Sequence, residues 1–220
     1  MTTSSVQDPS SVKSIGVLAL QGAFAEHIQH LQKCIQQNNY RLRVFPVRTA
    51  KELSQCDALI IPGGESTSMS LIAQRTGMYQ PLYDFVHNPE KAVWGTCAGL
   101  IYIAQQVANE KELIKPLELL KVKVKRNAFG RQAQSFIQDC DFSSFAPGCT
   151  DFPAVFIRAP VIEEILDPKE VKPLYTLDNG LIVAAVQNDN ILATSFHPEL
   201  ASEDGRFHDW FIRKFVLKLL

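Results

Sequence analysis

Short continuous apolar runs alternate with helical apolar stripes through the first half of the chain. Residues 14–20 form a run suited to a strand buried on both faces, ending at Gln21-Gly22. Over 23–38, Phe24, Ile28, Leu31 and Ile35 recur at helical intervals and predict one buried stripe. A strand over 41–47, a short helix over 49–55 and a strand over 57–61 follow, the last closed by Pro62-Gly63-Gly64. Helices are predicted over 66–74 and 79–87, then a strand over 92–94 and a helix from Ala98 to about Val107. Strands and helices joined by short connections point to a mostly parallel sheet covered on both faces, with reactive groups at the carboxyl ends of its strands.

The second half changes character. Residues 119–126, 134–141, 154–158, 174–177, 181–187 and 191–195 read as strands joined by turns such as Asp178-Asn179-Gly180. They are expected to extend the same sheet, partly antiparallel, within one domain covering 14–220. A last amphipathic helix from Arg206 buries Phe207, Trp210, Phe211 and Phe215. The fold class expected is α/β, a three-layer α/β/α sandwich with a mixed, mostly parallel central sheet.

Composition narrows the chemistry. With 46% apolar and 20% charged residues and a net charge of −1, the chain offers no general attraction to nucleic acid or to an anionic membrane. The basic cluster at 121–126 alternates like a strand and reads as a solvated face. Five cysteines without a C-x-x-C pair fit a reducing compartment better than a secreted one. Residues 1–13 are polar, lack the patterns of secretion or transit segments, and are expected to form a disordered tail on a cytoplasmic protein. No apolar run approaches the roughly 18 to 20 residues that span a bilayer.

The spacing Gly95-Thr96-Cys97-Ala98-Gly99 is the thiol counterpart of the Gly-x-Ser-x-Gly elbow, in which small neighbours let a nucleophile sit on a strained strand-to-helix turn. There the unsatisfied N–H groups and the helix dipole favour thiolate. On these residues alone, a buried structural cysteine before a tight turn fits as well. Phe196-His197-Pro198-Glu199 ends a predicted strand. If it stays extended, the Glu199 carboxylate can orient the His197 imidazole, giving a Cys97, His197, Glu199 triad. Without the elbow, a histidine before proline is most often a turn residue. Pro62-Gly63-Gly64-Glu65-Ser66-Thr67 opens a helix whose N–H groups could meet a developing negative charge, or it is an ordinary glycine turn. The lysine of a phosphate loop is missing.

Arg126 falls with Val122 and Val124 on the apolar side of its strand, where a cation wants an anion. The α-carboxylate of a ligand and a structural Asp or Glu remain alternatives. His27 and His30, three apart on the first helix, have no third ligand pattern beside them. They read as helix surface, and no metal site is expected.

Together, Gly-Thr-Cys-Ala-Gly, Pro-Gly-Gly-Glu-Ser-Thr and Phe-His-Pro-Glu resemble the class I glutamine amidotransferases. Residues 17–23 (Val-Leu-Ala-Leu-Gln-Gly-Ala), 126–132 (Arg-Asn-Ala-Phe-Gly-Arg-Gln) and 156–160 (Phe-Ile-Arg-Ala-Pro) are similar to the glutaminase subunits of pyridoxal 5′-phosphate synthase complexes. The resemblance implies hydrolysis of L-glutamine to L-glutamate and ammonia by Cys97, His197 and Glu199 through a thioester. It also implies an oxyanion hole from Gly64 and Ala98, and glutamine contacts from Gly64, Glu65, Ser66, Arg126, Ile157 and Arg158. Gln21 would support the oxyanion segment at a rim that docks on a synthase subunit, to which ammonia is channelled. Pyridoxal phosphate would be that partner's product; no cofactor is expected here. The glutaminase of another pathway, such as imidazole glycerol phosphate synthase, or a non-catalytic subunit of the same fold, are the rival readings.

Overall fold

A computed structural model describes residues 12–108, 114–129 and 135–220. Almost all of the expected polar tail lies outside the described residues, as do parts of the 126–132 motif.

The first half follows the alternation. Strands β1 (Lys13–Leu18), β2 (Leu42–Val47), β3 (Ala58–Ile61) and β4 (Ala92–Thr96) pair in parallel in the order β2-β1-β3-β4. Every residue of β3 and β4 is buried, as strands covered on both faces require. Between them run α1 (Phe24–Asn38), α2 (Ala50–Leu53), α3 (Ser66–Arg75) and α4 (Tyr79–Val86). Local chemistry fixes their ends. Asn39 closes α1 in the left-handed region at φ 52°, and Thr49 and Glu52 form a capping box on α2.

After the elbow the structure departs from the expected pattern. Helix α5 (Ala98–Ile103) is only six residues long and passes directly into a strand, β5 (Ala104–Ala108), rather than continuing to Val107. A further strand, β9 (Val161–Ile165), was not anticipated. With β6 (Leu120–Lys125), β10 (Val171–Thr176), β11 (Ile182–Gln187) and β12 (Ile191–Thr194), these complete, among the described residues, a ten-stranded sheet. Its order continues from β4 through β12-β11-β9-β6-β5, with β10 on β11. The β4–β12 and β5–β6 pairs are parallel, whereas β12–β11, β11–β9, β9–β6 and β10–β11 are antiparallel.

One expectation about the sheet is corrected. Strands β7 (Ser135–Cys140) and β8 (Phe152–Ile157) do not join it but pair as a separate antiparallel ribbon. Alternation fixes which side chains of a strand face inward, yet it carries no information about the edge on which the strand docks. The ribbon buries Phe152, Ala154 and Phe156 against the body, with Phe156 stacked on Phe136 at 4.7 Å.

Two apolar clusters cover the sheet. One gathers Leu31, Trp94, Phe142 and Phe196 with Phe207 and Phe211 of α6 (Arg206–Phe211); the other gathers Met69, Leu82 and Tyr102. The C-terminal element buries the four aromatic residues expected of it, although its second part, Ile212–Val216, is π-helical.

Candidate active site

Strand register brings the reactive groups together. Thr96 of β4 lies opposite Thr194 of β12, and the Cys97 N–H donates to the Thr194 carbonyl at 2.8 Å. Cys97 therefore leaves one strand beside the point where the chain leaves its neighbour toward His197. The His197 N–H donates to the carbonyl of Val155 on β8 at 2.8 Å, which ties it to the ribbon.

Cys97 has φ 46° and ψ −101°, a conformation that side-chain-bearing residues rarely adopt and that costs on the order of 1–3 kcal/mol. The flanking glycines make it possible. A Cβ at Gly99 would overlap the Ile61 carbonyl oxygen, and one at Gly95 would lie 2.8 Å from the Gly99 carbonyl carbon. Strand end and helix start touch backbone to backbone, with the thiol raised between them. Ala98 is the first residue of α5, so its N–H has no intrahelical acceptor.

Cys97, His197 and Glu199 are 6%, 7% and 3% exposed. His197 Nδ1 lies 2.8 Å from Glu199 Oε1, and Cys97 and His197 line the same cavity. Burial opposes protonation of His197, but Cys97 and Glu199 outweigh it and push the imidazole up to about 10. Burial also opposes ionisation of Glu199, yet His27 and His197 hold its carboxyl below the ordinary range. An acid, an imidazole and a thiol are thus gathered at one place.

Beside them lies a cavity of about 360 Å³, within the range of small-molecule sites. Its walls include Cys97, Ala98 and His197 on one side, with Gly64, Glu65 and Ser66 at the start of α3. Arg126, Ile157 and Arg158 complete the set expected to contact a ligand. Glu199 stands behind His197 and does not line it. The Cys97 Sγ lies 3.9 Å from the Ile157 carbonyl oxygen. Arg126 is not buried against an apolar face: it follows β6, is half-buried, and meets Glu65 at 3.6 Å. Glu65 caps α3, accepting from the Thr67 and Ser68 N–H groups at 3.0 and 2.6 Å. Burial raises its carboxyl, but those hydrogen bonds dominate and bring it to about 2.

The Gly63-Gly64 segment is held from both sides. A Cβ on Gly63 would lie 2.7 Å from His197 Nδ1, and one on Gly64 would strike the Gln21 amide. Gln21 Oε1 also accepts from the Glu65 N–H at 2.9 Å, so the side chain supports this turn directly.

Over residues 17–217 the chain matches the SNO glutamine amidotransferase family. The chain belongs to that family. It is 66% identical to the pyridoxal 5′-phosphate synthase subunit SNO1 of Saccharomyces cerevisiae, over 97% of this chain and 98% of that protein. It is 46% identical to the pyridoxal 5′-phosphate synthase subunit PdxT of Dehalococcoides mccartyi, over 90% and 95%. A crystal structure of a glutamine amidotransferase superposes with a TM-score of 0.75 at 38% identity, covering 90% of this chain and 97% of that one. The mixed, mostly parallel sheet is thus the fold of this glutamine amidotransferase as well as of its solved relative.

The structure corrects the reading of His27 and His30. Neither lies on the helix surface: they are 0% and 8% exposed. The buried face of α1 is His27, His30, Leu31 and Cys34, whereas Phe24, Ile28 and Ile35 are only partly buried. That spacing of three, four and seven is itself helical, so the signal was present in the sequence once histidine is admitted to the buried set. His27 reaches Glu199, Thr96 and His208. Among the described residues no cluster of His, Cys, Asp or Glu is arranged to hold a metal ion, and no helix is long and apolar enough to cross a membrane.

Proposed function

We propose that this chain is the glutaminase subunit of a pyridoxal 5′-phosphate synthase, releasing ammonia from L-glutamine for a synthase subunit. The observation that carries the reading is the Cys97–His197–Glu199 group on neighbouring strand ends, opening onto a cavity with a carboxylate and a guanidinium on its wall. The names of the relatives support the partner.

Cys97 thiolate attacks Cδ of the glutamine side chain, and the carbonyl oxygen becomes an oxyanion held by the Gly64 and Ala98 N–H groups. His197 imidazolium gives its proton to the amide nitrogen, the C–N bond breaks, and ammonia leaves a Cys97 thioester. Neutral His197 then takes a proton from water as the water oxygen attacks the thioester. Glutamate departs, and Cys97 and protonated His197 are restored. Glu199 holds the ring and its charge throughout. Losing one oxyanion donor typically costs on the order of 10²–10³ in rate. Arg126 takes the α-carboxylate, Glu65 the α-ammonium, and Ser66, Ile157 and Arg158 complete the fit. Gln21 supports Gly64 and forms part of the docking rim.

In this reading residues 14–220 act as one glutaminase domain, and pyridoxal phosphate is the partner's product. Five free cysteines support a location in the reducing cytoplasm. Docking of the synthase subunit completes the Gly63-Gly64 oxyanion segment. The test is glutamate release with and without the co-purified synthase subunit: little turnover alone and full turnover in the complex are expected. Full activity of the isolated chain removes the switch, and no activity in the complex removes the assignment.

A further inference from the structure

Behind Glu199 lies a buried set of imidazoles with no part in the steps above. His27 Nε2 is 3.2 Å from Glu199 Oε2 and 3.3 Å from Thr96 Oγ1. The first approach is within ion-pair reach but off the hydrogen-bond axis, and the second meets hydrogen-bond geometry; Glu199 Oε2 has no hydrogen-bond partner among the described residues. His27 Nδ1 is 2.9 Å from His208 Nε2, and His30 stacks on His208 at 4.8 Å. Trp94 meets His27 edge-on at 5.6 Å. His27 and His208 are both fully buried.

We propose that His27 is a positioning residue for glutamine hydrolysis: its neutral ring donates Nε2–H to Thr96 Oγ1 and sets the same polarised N–H beside Glu199 Oε2, holding electrostatically the carboxylate that orients His197. The proposal rests on the glutaminase reading. Proton bookkeeping selects the tautomer. One of His27 Nδ1 and His208 Nε2 must donate to the other. If His27 donated from Nδ1, its Nε2 lone pair would face a carboxylate oxygen. His208 Nδ1 would then carry a buried proton, and that atom has no hydrogen-bond partner. If His208 donates from Nε2, His208 Nδ1 is merely an unpaired lone pair, and His27 Nε2–H faces both Glu199 and Thr96. A doubly protonated His27 would again force the buried proton onto His208 Nδ1. Only the arrangement with both protons on Nε2 avoids repulsion at Glu199 and an orphaned buried donor.

The consequence is a carboxylate held at Oε1 by a hydrogen bond with His197 and approached at Oε2 by the His27 N–H dipole at 3.2 Å, outside hydrogen-bond geometry. Removing the His27 ring takes the nearest N–H dipole away from a buried anionic oxygen and frees Glu199 to rotate. The effect falls on proton transfer rather than on substrate contacts, because His27 does not line the cavity.

The test compares wild type, His27→Leu and His27→Gln, each assembled with the synthase subunit. His27→Leu is expected to lower kcat for glutamate release about 10- to 100-fold, the range known for loss of the outer partners of metal-bound histidines and carboxylates, with KM little changed. His27→Gln keeps an N–H donor near the same place and regains most of the loss. An inactive wild-type complex would count against the glutaminase reading itself. An active wild type with His27→Leu at full kcat, a loss expressed in KM, or equal loss in both variants overturns the positioning role alone. If His27→Leu does not fold, nitrogen-15 imidazole spectra of the wild-type chain decide. Protons on Nε2 of His27 and His208 support the role, and a proton on His27 Nδ1 overturns it.

Discussion

Arg126 Nη2 lies 3.6 Å from Glu65 Oε1 on the wall of the cavity that also holds Cys97 and His197. A cation and an anion on one wall match the two charges of an amino-acid backbone, so a glutamine bound there would exchange this ion pair for two of its own. Arg126→Met is therefore expected to raise KM for glutamine about 10- to 150-fold, as losing a charge-assisted hydrogen bond of about 1.5–3 kcal/mol implies. Steady-state kinetics of the complex check it, with kcat held to a few-fold change.

Cys97→Ala separates the two halves of the proposed reaction. Glutamine-dependent synthesis by the complex is expected to vanish, while synthesis from an added ammonium salt continues. Loss of both would mean that Cys97 serves structure or that the partner is wrong.

The elbow has no room for a side chain at Gly99. A Cβ there meets the Ile61 carbonyl oxygen, which belongs to a fully buried strand and has little freedom to retreat. Gly99→Ala is expected to cost about 3 kcal/mol or more, as severe core overpacking does. For a chain of this size that lowers Tm by about 6–12 °C in a thermal melt.

The raised imidazole makes stability depend on pH. His197 is pushed up to about 10 in the folded chain, from an unfolded value of about 6.5. Its contribution to stability is fully present below about 6.5 and is lost as pH rises through about 10. The wild-type Tm should fall over that window, and His197→Gln should flatten this part of the fall. Equal slopes in the two melting series would show that His197 does not titrate in this way.

How much of this was legible before folding depends on whether the information is local. The run 57–61 and the stripe of α1 announce their elements because burial on one or both faces writes a period into the sequence. The elbow was visible because Gly95 and Gly99 answer to atoms a few residues or one strand away. Helix α5 was overextended because 98–107 is apolar enough to suit either period; only Ala104, extended at ψ 148°, reveals the break. Strand β9 escaped because Glu163 and Glu164 interrupt its apolar pattern, and its pairing with β6 and β11 lies far along the chain. His27 was misread for a physical reason: a titratable ring counts as surface until its partners are known, and His208 and Glu199 lie 181 and 172 positions away.

The tightness around the Gly63-Gly64 segment and the elbow also bears on heredity. Every single-nucleotide missense change in a glycine codon introduces a residue with a Cβ. At Gly63 that atom meets His197, at Gly64 Gln21, at Gly95 the Gly99 backbone and at Gly99 that of Ile61. No one-step mutation offers a smaller compromise at any of these positions. Such a site can be inherited intact or lost, while adjustment of its rate and specificity is left to the side chains around the rim.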